Sequence, residues 1–222
     1  MSGCCLMNSK NLNNMSKKLV LPIAFLFITL VSMGQQFDAG LIAGFNATQV
    51  EGDDFRGYHK PGILAGLFVQ TDLSSDFFAS LELKYSQKGS RNRIRPEDED
   101  IRQYIMRLGY AEVPVLVGYR TNEWGAVIGG ISTGYLLHSG EYDENGLFPP
   151  QDTHEFNKFD LQPFLGFQFG LLEQLKVDLR LAFSVLPIRD QPGEDATNYY
   201  WLNHQFNNVI SLALYYNMGV NQ

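Results

Sequence analysis

Charged side chains recur at every second position along several apolar stretches of this chain. In a β-strand, residues two apart point to the same side, so each set of charges would share one face. Opposite charges on a shared face can pair with one another or line a polar path for small solutes. The pattern therefore predicts a charge network on one side of a sheet. Its members are Glu82, Lys84, Lys88, Glu112, Arg120, Lys176, Asp178 and Arg180.

A second set of candidate residues lies between the apolar stretches. Arg91, Arg93 and Arg95 precede a run of acidic residues at 97–100. The arginines could bind an anionic partner through charge-assisted hydrogen bonds, or the two blocks could fold onto each other as a solvated hairpin tip. The acidic block could collect Ca²⁺ or Mg²⁺, but it lacks the spaced oxygens and turn glycine of an EF-hand, so we predict no metal site.

Aromatic residues cluster near the start of the last apolar stretch. Tyr and Trp are common at the centres of protein interfaces, and they also concentrate where a membrane meets water. A loop that docks a partner and an interfacial anchor are therefore both consistent with this cluster. The residues are Tyr199, Tyr200 and Trp201.

Histidine and cysteine show no spacing that predicts catalysis or metal binding. His138 adjoins Ser139, yet no spacing pairs any histidine with a serine nucleophile. The chain also lacks HExxH and Walker-type phosphate motifs. Cys4 and Cys5 are adjacent, which excludes a disulfide framework and a CxxC zinc site. We predict neither catalytic residues nor a cofactor.

Composition excludes further classes of protein. The 222 residues carry a net charge of −7, and 45% of them are hydrophobic while only 18% are charged. Binding to nucleic-acid phosphates needs a basic surface, so we expect no nucleic-acid partner. A chain of this length fits one domain.

The N-terminus has the layout of an export signal. Lys17 and Lys18 precede an apolar run over Leu19–Met33, and Gly34 follows. A charged segment, about 15 apolar residues and a small residue form a secretory signal peptide, whereas a membrane-spanning helix needs about 20 apolar residues. We therefore predict an N-terminal extension plus cleaved signal peptide at 1–34 and a mature domain at 35–222.

From Phe37 onward, the residues alternate with a period of two, as in β-strands. Eight such runs can be distinguished, most of them about 10 to 15 residues long, which is enough to cross a membrane at a tilt. The connections between them alternate in length. The short ones cover Leu73–Asp76, Thr121–Glu123 and Leu172–Gln174, and the long ones cover Thr48–Lys60, Gly89–Gly109, Gly140–Phe156 and Pro187–Asn203. Short periplasmic turns and long extracellular loops give this alternation in outer-membrane barrels.

Several runs have a fully apolar face opposite the charged one; Leu81 and Leu83, for example, flank Glu82. In a membrane barrel the apolar face contacts lipid, and the charges lie in the lumen, where they can pair. An eight-stranded barrel is just narrow enough for side chains to fill its interior. We therefore predict an all-β fold: an eight-stranded antiparallel up-and-down transmembrane β-barrel of the bacterial outer membrane, with long extracellular loops and short periplasmic turns.

Four stretches carry a resemblance to a known family: GLIAGFN at 40–46, PGILAGLF at 61–68, LELKYSQKG at 81–89 and YAEVPVLVGY at 110–119. In these, the chain resembles the Bacteroidetes outer-membrane β-barrel family that is often labelled PorT-like or porin family. The resemblance implies an outer-membrane barrel over essentially the whole mature chain. Because the family's named member serves a protein-secretion pathway, the resemblance also implies an accessory role in secretion.

Together, these patterns predict a non-enzymatic structural or interaction barrel, accessory to secretion or envelope assembly. Its expected partners are outer-membrane lipid, lipopolysaccharide and an envelope or secretion protein. Two alternatives stay open. A small-solute porin-like channel would use the charged lumen, and a lipid A-modifying enzyme would use a Ser–His pair near the outer leaflet.

Overall fold

The computed structural model describes residues 36–53, 57–92, 103–149, 155–190 and 204–219, and these contain ten strands and no helix. In chain order the strands are β1 (Phe37–Glu51), β2 (Lys60–Asp72), β3 (Phe77–Lys88), β4 (Ile105–Arg120), β5 (Gly125–Asp143), β6 (Gly146–Leu147), β7 (Phe159–Leu172), β8 (Leu175–Phe183), β9 (Arg189–Asp190) and β10 (His204–Asn217). β6 and β9 have two residues each, and the other eight strands are long. The predicted signal segment lies outside the described residues.

The eight long strands close into one ring. Consecutive long strands pair antiparallel, and β10 pairs antiparallel with β1, from Gly40 opposite Asn217 to Glu51 opposite Phe206. Because every long strand has two partners, the ring has no free edge. Among the described residues, no helix is long and apolar enough to span a membrane. The predicted eight-stranded antiparallel barrel is confirmed.

The alternation along β3 shows why these residues form a strand with two different faces. Leu81 and Leu83 are 53% and 58% exposed on the outside, whereas Glu82, between them, is 1% exposed on the inside. The same alternation runs along β2 and β4. An apolar outer surface of this kind is stable in lipid, while the polar inner face is kept away from it.

Three tight turns join strands at one end of the barrel. They cover residues 73–76, 121–124 and 173–174, within one residue of the predicted positions. In the first turn, the Leu73 N–H donates to the Phe77 carbonyl (2.9 Å). The long connections leave the opposite end, as predicted for extracellular loops.

Three strands extend further toward the loops than the alternation predicts. β1 continues to Glu51, β4 begins at Ile105, and β5 continues to Asp143. The prediction assigned these extensions to loops. In the extension of β5, the buried Glu141 pairs with Arg189. β1 and β4 stay in the sheet because their inward side chains join an apolar cluster inside this end of the barrel, which we call the loop-end cluster. It comprises Val50, Met106, Leu108, Tyr110, Leu136 and Ile188.

Aromatic side chains form outward-facing pairs near both ends of the barrel. The ring centroids of Phe77 and Tyr119 lie 5.1 Å apart beside the turns, and those of Tyr135 and Phe159 lie 5.4 Å apart toward the loops. Belts of aromatic residues mark the two water interfaces of a membrane-spanning barrel. The apolar surface between the two pairs is therefore the band that faces lipid.

Candidate functional site

Arg180 is the centre of a polar network inside the barrel. Its guanidinium donates to both carboxylate oxygens of Glu82, at 2.7 and 2.9 Å, and pairs with Asp178 at 2.7 Å. It also donates to Tyr215 Oη (2.7 Å), which in turn donates to Glu82 (3.0 Å). All four residues are at most 4% exposed. A buried arginine keeps its charge here because carboxylates and hydrogen bonds replace its water.

The contact between Glu82 and Arg180 crosses the barrel. Glu82 is on β3 and Arg180 is on β8, and these strands lie four positions apart in either direction around the ring of eight. Hydrogen bonds between diametrically opposite strands bridge the lumen at this level. Gln168 of β7 adds a further bond by donating to Asp178 at 2.7 Å. These five residues form the Arg180 network: Glu82, Gln168, Asp178, Arg180 and Tyr215.

A second network, the Lys88 network, lies closer to the loops. Lys88 Nζ is 2.5 Å from Glu112 Oε1 and 3.3 Å from Asp160 Oδ2, and it donates to Gln162 Oε1 at 2.5 Å. Lys84 Nζ is 3.5 Å from the other oxygen of Glu112. Two cations and two carboxylates balance in charge, which lowers the cost of burying all of them.

Apolar side chains cluster in the lumen beyond both networks. Toward the loops lies the loop-end cluster, and Asn207 of β10 reaches from there to Asp160 of the Lys88 network, donating at 3.1 Å. Toward the turns lies a second cluster, which we call the turn-end cluster. It comprises Phe78, Leu116, Ala126, Ile128 and Phe164.

Arg120 and Lys176 lie at the turn-end mouth of the lumen instead of within either network. Arg120 pairs with Asp72, and Lys176 donates to Gln70 at 3.5 Å. Both cations face the ring of Phe78, at 5.1 and 5.8 Å from its centroid. The structure thus divides the predicted luminal set into two parts: six residues that join the internal networks and two cations at the mouth.

A third polar cluster lies at the loop end, among residues that the alternation does not single out. Arg189 pairs with Glu141 (2.8 Å) and donates to Gln205 (2.6 Å). Arg189 also lies over the ring of Phe156, 4.5 Å from its centroid. Tyr104 donates to Glu141, and burial raises the pKa of the Tyr104 phenol, so it remains a neutral donor. This cluster ties β9 to β5 and β10 across the mouth.

Of the predicted loop contacts, the structure describes Arg91. It is exposed and forms an isolated bridge with Ile105. The other predicted loop residues lie outside the described residues, as does the acidic block at 97–100. They are Arg93, Arg95, Tyr199, Tyr200 and Trp201.

The residues considered for catalysis are not brought together. His138 lies on the outer face of β5 and contacts Tyr85 Oη at 3.4 Å. A Gly-x-Ser-x-Gly string at 130–134 puts Ser132 inside the lumen, in the middle of a strand, whereas a hydrolase nucleophile needs a sharp strand-to-helix turn. Within the described ranges, no group of three or more His, Cys, Asp or Glu side chains could hold a metal ion.

Several members of the networks were not predicted as site residues. On β7, Asp160, Gln162 and Gln168 lie an even number of residues apart and therefore on one face of the strand. This period-two spacing of polar residues is the signal that could have found them. Arg189 and Tyr104 lie outside the long strands, and no alternation points to them.

The chain is similar to solved outer-membrane barrels of low sequence identity. It is 15% identical to the attachment invasion locus protein Ail of Yersinia pestis, covering 82% of this chain and 99% of that one, with a TM-score of 0.46. It is 8% identical to Neisserial surface protein A, covering 82% and 98%, with a TM-score of 0.46. It is 10% identical to OprG from Pseudomonas aeruginosa, covering 82% and 94%, with a TM-score of 0.36. No curated protein matches the chain.

A family model settles the wider relationship. The model described as outer membrane protein beta-barrel domain matches residues 33–189, which is more than half of the chain. The matched range includes β1 to β8 and most of both luminal networks. The chain belongs to the outer membrane protein beta-barrel domain family.

Proposed function

We propose that this outer-membrane barrel is non-enzymatic and non-conducting and acts as a structural or interaction protein. The observation that supports the proposal most is the contact of Arg180 with Glu82 across the barrel, at 2.7 and 2.9 Å. The Lys88 network and the apolar clusters on both sides add to it, since they fill the lumen with side chains. Binding then takes place on the outer surface and the loops.

The loops are the surface that we assign to protein partners. Arg91, Arg93 and Arg95 carry a positive charge, and Tyr199–Trp201 has the composition of an interface hot spot. In this proposal, export through the segment at 1–34 brings the chain to the outer membrane, where the loops contact an envelope or secretion protein. The resemblance to PorT-like proteins of Bacteroidetes supports an accessory role in secretion or envelope assembly.

Ion conductance tests the proposal. The purified barrel, reconstituted into planar lipid bilayers, should give no stepwise conductance, because opposite strands are joined by side chains through the lumen. The variant Arg120→Ala should also give no conductance steps. Arg120 lies at the turn-end mouth, where its charge would affect the ions that pass through a channel. Discrete conductance steps that change in Arg120→Ala would refute the proposal and establish the small-solute channel.

A further inference from the structure

Two arginines project from the outer surface at the loop end of the barrel. Arg107 is exposed on β4, and Arg91 is exposed on the segment that follows β3, bridged to Ile105. Because Ile105 and Arg107 are two residues apart on one face of β4, Arg91 and Arg107 are diagonal neighbours, whose backbone positions lie about 7–8 Å apart. Two guanidinium groups on one such surface repel each other unless an anion lies between them.

Within the described residues, no carboxylate pairs with these two arginines. The guanidinium of Arg107 lies over the ring of Tyr142, 4.8 Å from its centroid. Lys60, at the start of β2, is only 5% exposed on the inward side of that strand, and its Nζ donates to the Pro61 carbonyl (2.7 Å). Two exposed cations therefore share one side of the loop-end rim, and the described residues supply them with no counter-ion.

The two cross-strand neighbours of Arg107 are glycines. Gly140 of β5 pairs with Arg107, and Gly89 lies on the β3 side, so neither neighbour presents a side chain. Gly89 has a φ of +132°, a conformation that favours glycine. The ring of Tyr142 lies over Gly140, since a Cβ added there would be 3.0 Å from it. The exposed guanidinium of Arg107 thus lies beside an aromatic ring, with no side chain on the Gly89 side to block an anion.

Arg107 lies at the depth of lipid headgroups. Arg107 is four residues nearer the loops than Ala111, which pairs with Tyr135 of the loop-end aromatic pair. Tyr85 pairs with Ala111 from the other side, so aromatic side chains border the apolar band below Arg107. Aromatic belts lie at headgroup level in membrane proteins. Cations immediately beyond the belt on the loop side therefore meet the phosphates of the outer leaflet.

We propose that Arg91 and Arg107 bind a phosphate of lipid A, the membrane anchor of lipopolysaccharide, in the outer leaflet. Arginine forms short and often bidentate hydrogen bonds with phosphate. The acyl chains of the lipid pack on the apolar outer face below, where Leu83 and Val113 are 58% and 42% exposed. This inference rests on the part of the proposed function that puts the loop-end rim in the outer leaflet, and it is independent of whether the lumen conducts.

Native mass spectrometry of the purified barrel in detergent, with diphosphorylated lipid A added, tests the site. Wild type should form an adduct with a single lipid A. The double variant Arg91→Ala, Arg107→Ala should bind at least about tenfold more weakly, because charge-assisted hydrogen bonds to phosphate are lost. Arg120→Ala removes a partly exposed arginine at the opposite end and should bind like wild type. Heat-dependent migration on gels verifies that each variant is folded.

Lipid controls define the results that overturn the proposal. Wild type should bind lipid A stripped of its phosphates as weakly as the double variant binds intact lipid A. Equal binding of both forms by wild type, or undiminished binding by the double variant, refutes the site. Phosphatidylglycerol bound as tightly as lipid A refutes the assignment to lipid A. A barrel that conducts ions yet binds lipid A through Arg91 and Arg107 would refute the sealed lumen alone.

Discussion

Replacing Arg180 with methionine should destabilise the folded barrel by about 3–5 kcal/mol, because Glu82 and Asp178 would stay buried without their cation. Urea unfolding in detergent, followed by tryptophan fluorescence, measures the change in the free energy of unfolding. A loss below about 1 kcal/mol, the value typical of exposed ion pairs, would mean that water reaches these carboxylates and that the lumen is open.

Two further variants separate charge burial from a general effect of the substitution. The triple variant Arg180→Met, Glu82→Gln, Asp178→Asn removes both carboxylates that the single change leaves unpaired, so it should recover much of the lost stability. Arg120→Met breaks an ion pair whose partner, Asp72, is 63% exposed, and its cost should stay within about 1 kcal/mol. Equal losses in Arg120→Met and Arg180→Met would contradict the distinction between mouth and interior.

Replacing Leu81 with arginine should cost about 2–4 kcal/mol, the usual penalty for a cation near the midplane of a membrane barrel. Leu81 lies midway along β3 on the outer face, and it is 53% exposed between Val69 and Val115 of the neighbouring strands. In lipid, the introduced guanidinium would lose its water without gaining a partner. Unfolding of the barrel from phospholipid vesicles measures the cost.

Leu73→Arg is the matched control for this substitution. Leu73 is 54% exposed, as Leu81 is, but it lies in the turn at 73–76, at the water interface. The same chemical change there should cost less than about 1 kcal/mol. Similar costs at both positions would show that the outer face of β3 does not contact lipid.

The period-two alternation was sufficient to predict the barrel. Each strand has a lipid face and a luminal face. The side on which residues such as Leu81 and Glu82 lie can therefore be read from their apolar or charged character. The tight turns were equally visible, since short connections between long runs leave little freedom in their position. The extended ends of β4 and β5 were not visible, because they depend on residues distant in sequence. Met106 and Leu108 of β4 pack in the loop-end cluster, and Glu141 of β5 pairs with Arg189.

Which charges pair inside the lumen depends on the closed ring, and alternation alone does not determine it. Glu82 and Arg180 are 98 residues apart, and they meet because β3 and β8 become opposite strands once β10 pairs with β1. Arg120 and Lys176 have the luminal parity, yet they end at the mouth because they are close to turns. The period-two pattern shows which face a residue occupies, but its depth along the barrel axis depends on where the turns lie.

Reactivity of a thiol inside the lumen tests the sealed barrel most directly. Ser132 and Ser139 lie on the same strand, β5, but Ser132 is 5% exposed inside the lumen, whereas Ser139 is exposed. In a chain whose Cys4 and Cys5 are replaced by serine, Ser132→Cys and Ser139→Cys each introduce one thiol in place of a hydroxyl of similar size. A small, water-soluble methanethiosulfonate reagent then reports whether water reaches each position in the folded protein.

We predict that the reagent labels Ser139→Cys in the folded barrel and leaves Ser132→Cys unlabelled until the barrel is unfolded in urea. Protection of that kind is expected because the Arg180 network, the Lys88 network and the apolar clusters fill the lumen on either side of β5. Labelling of Ser132→Cys at the rate of Ser139→Cys, with the barrel still folded, would contradict the sealed lumen.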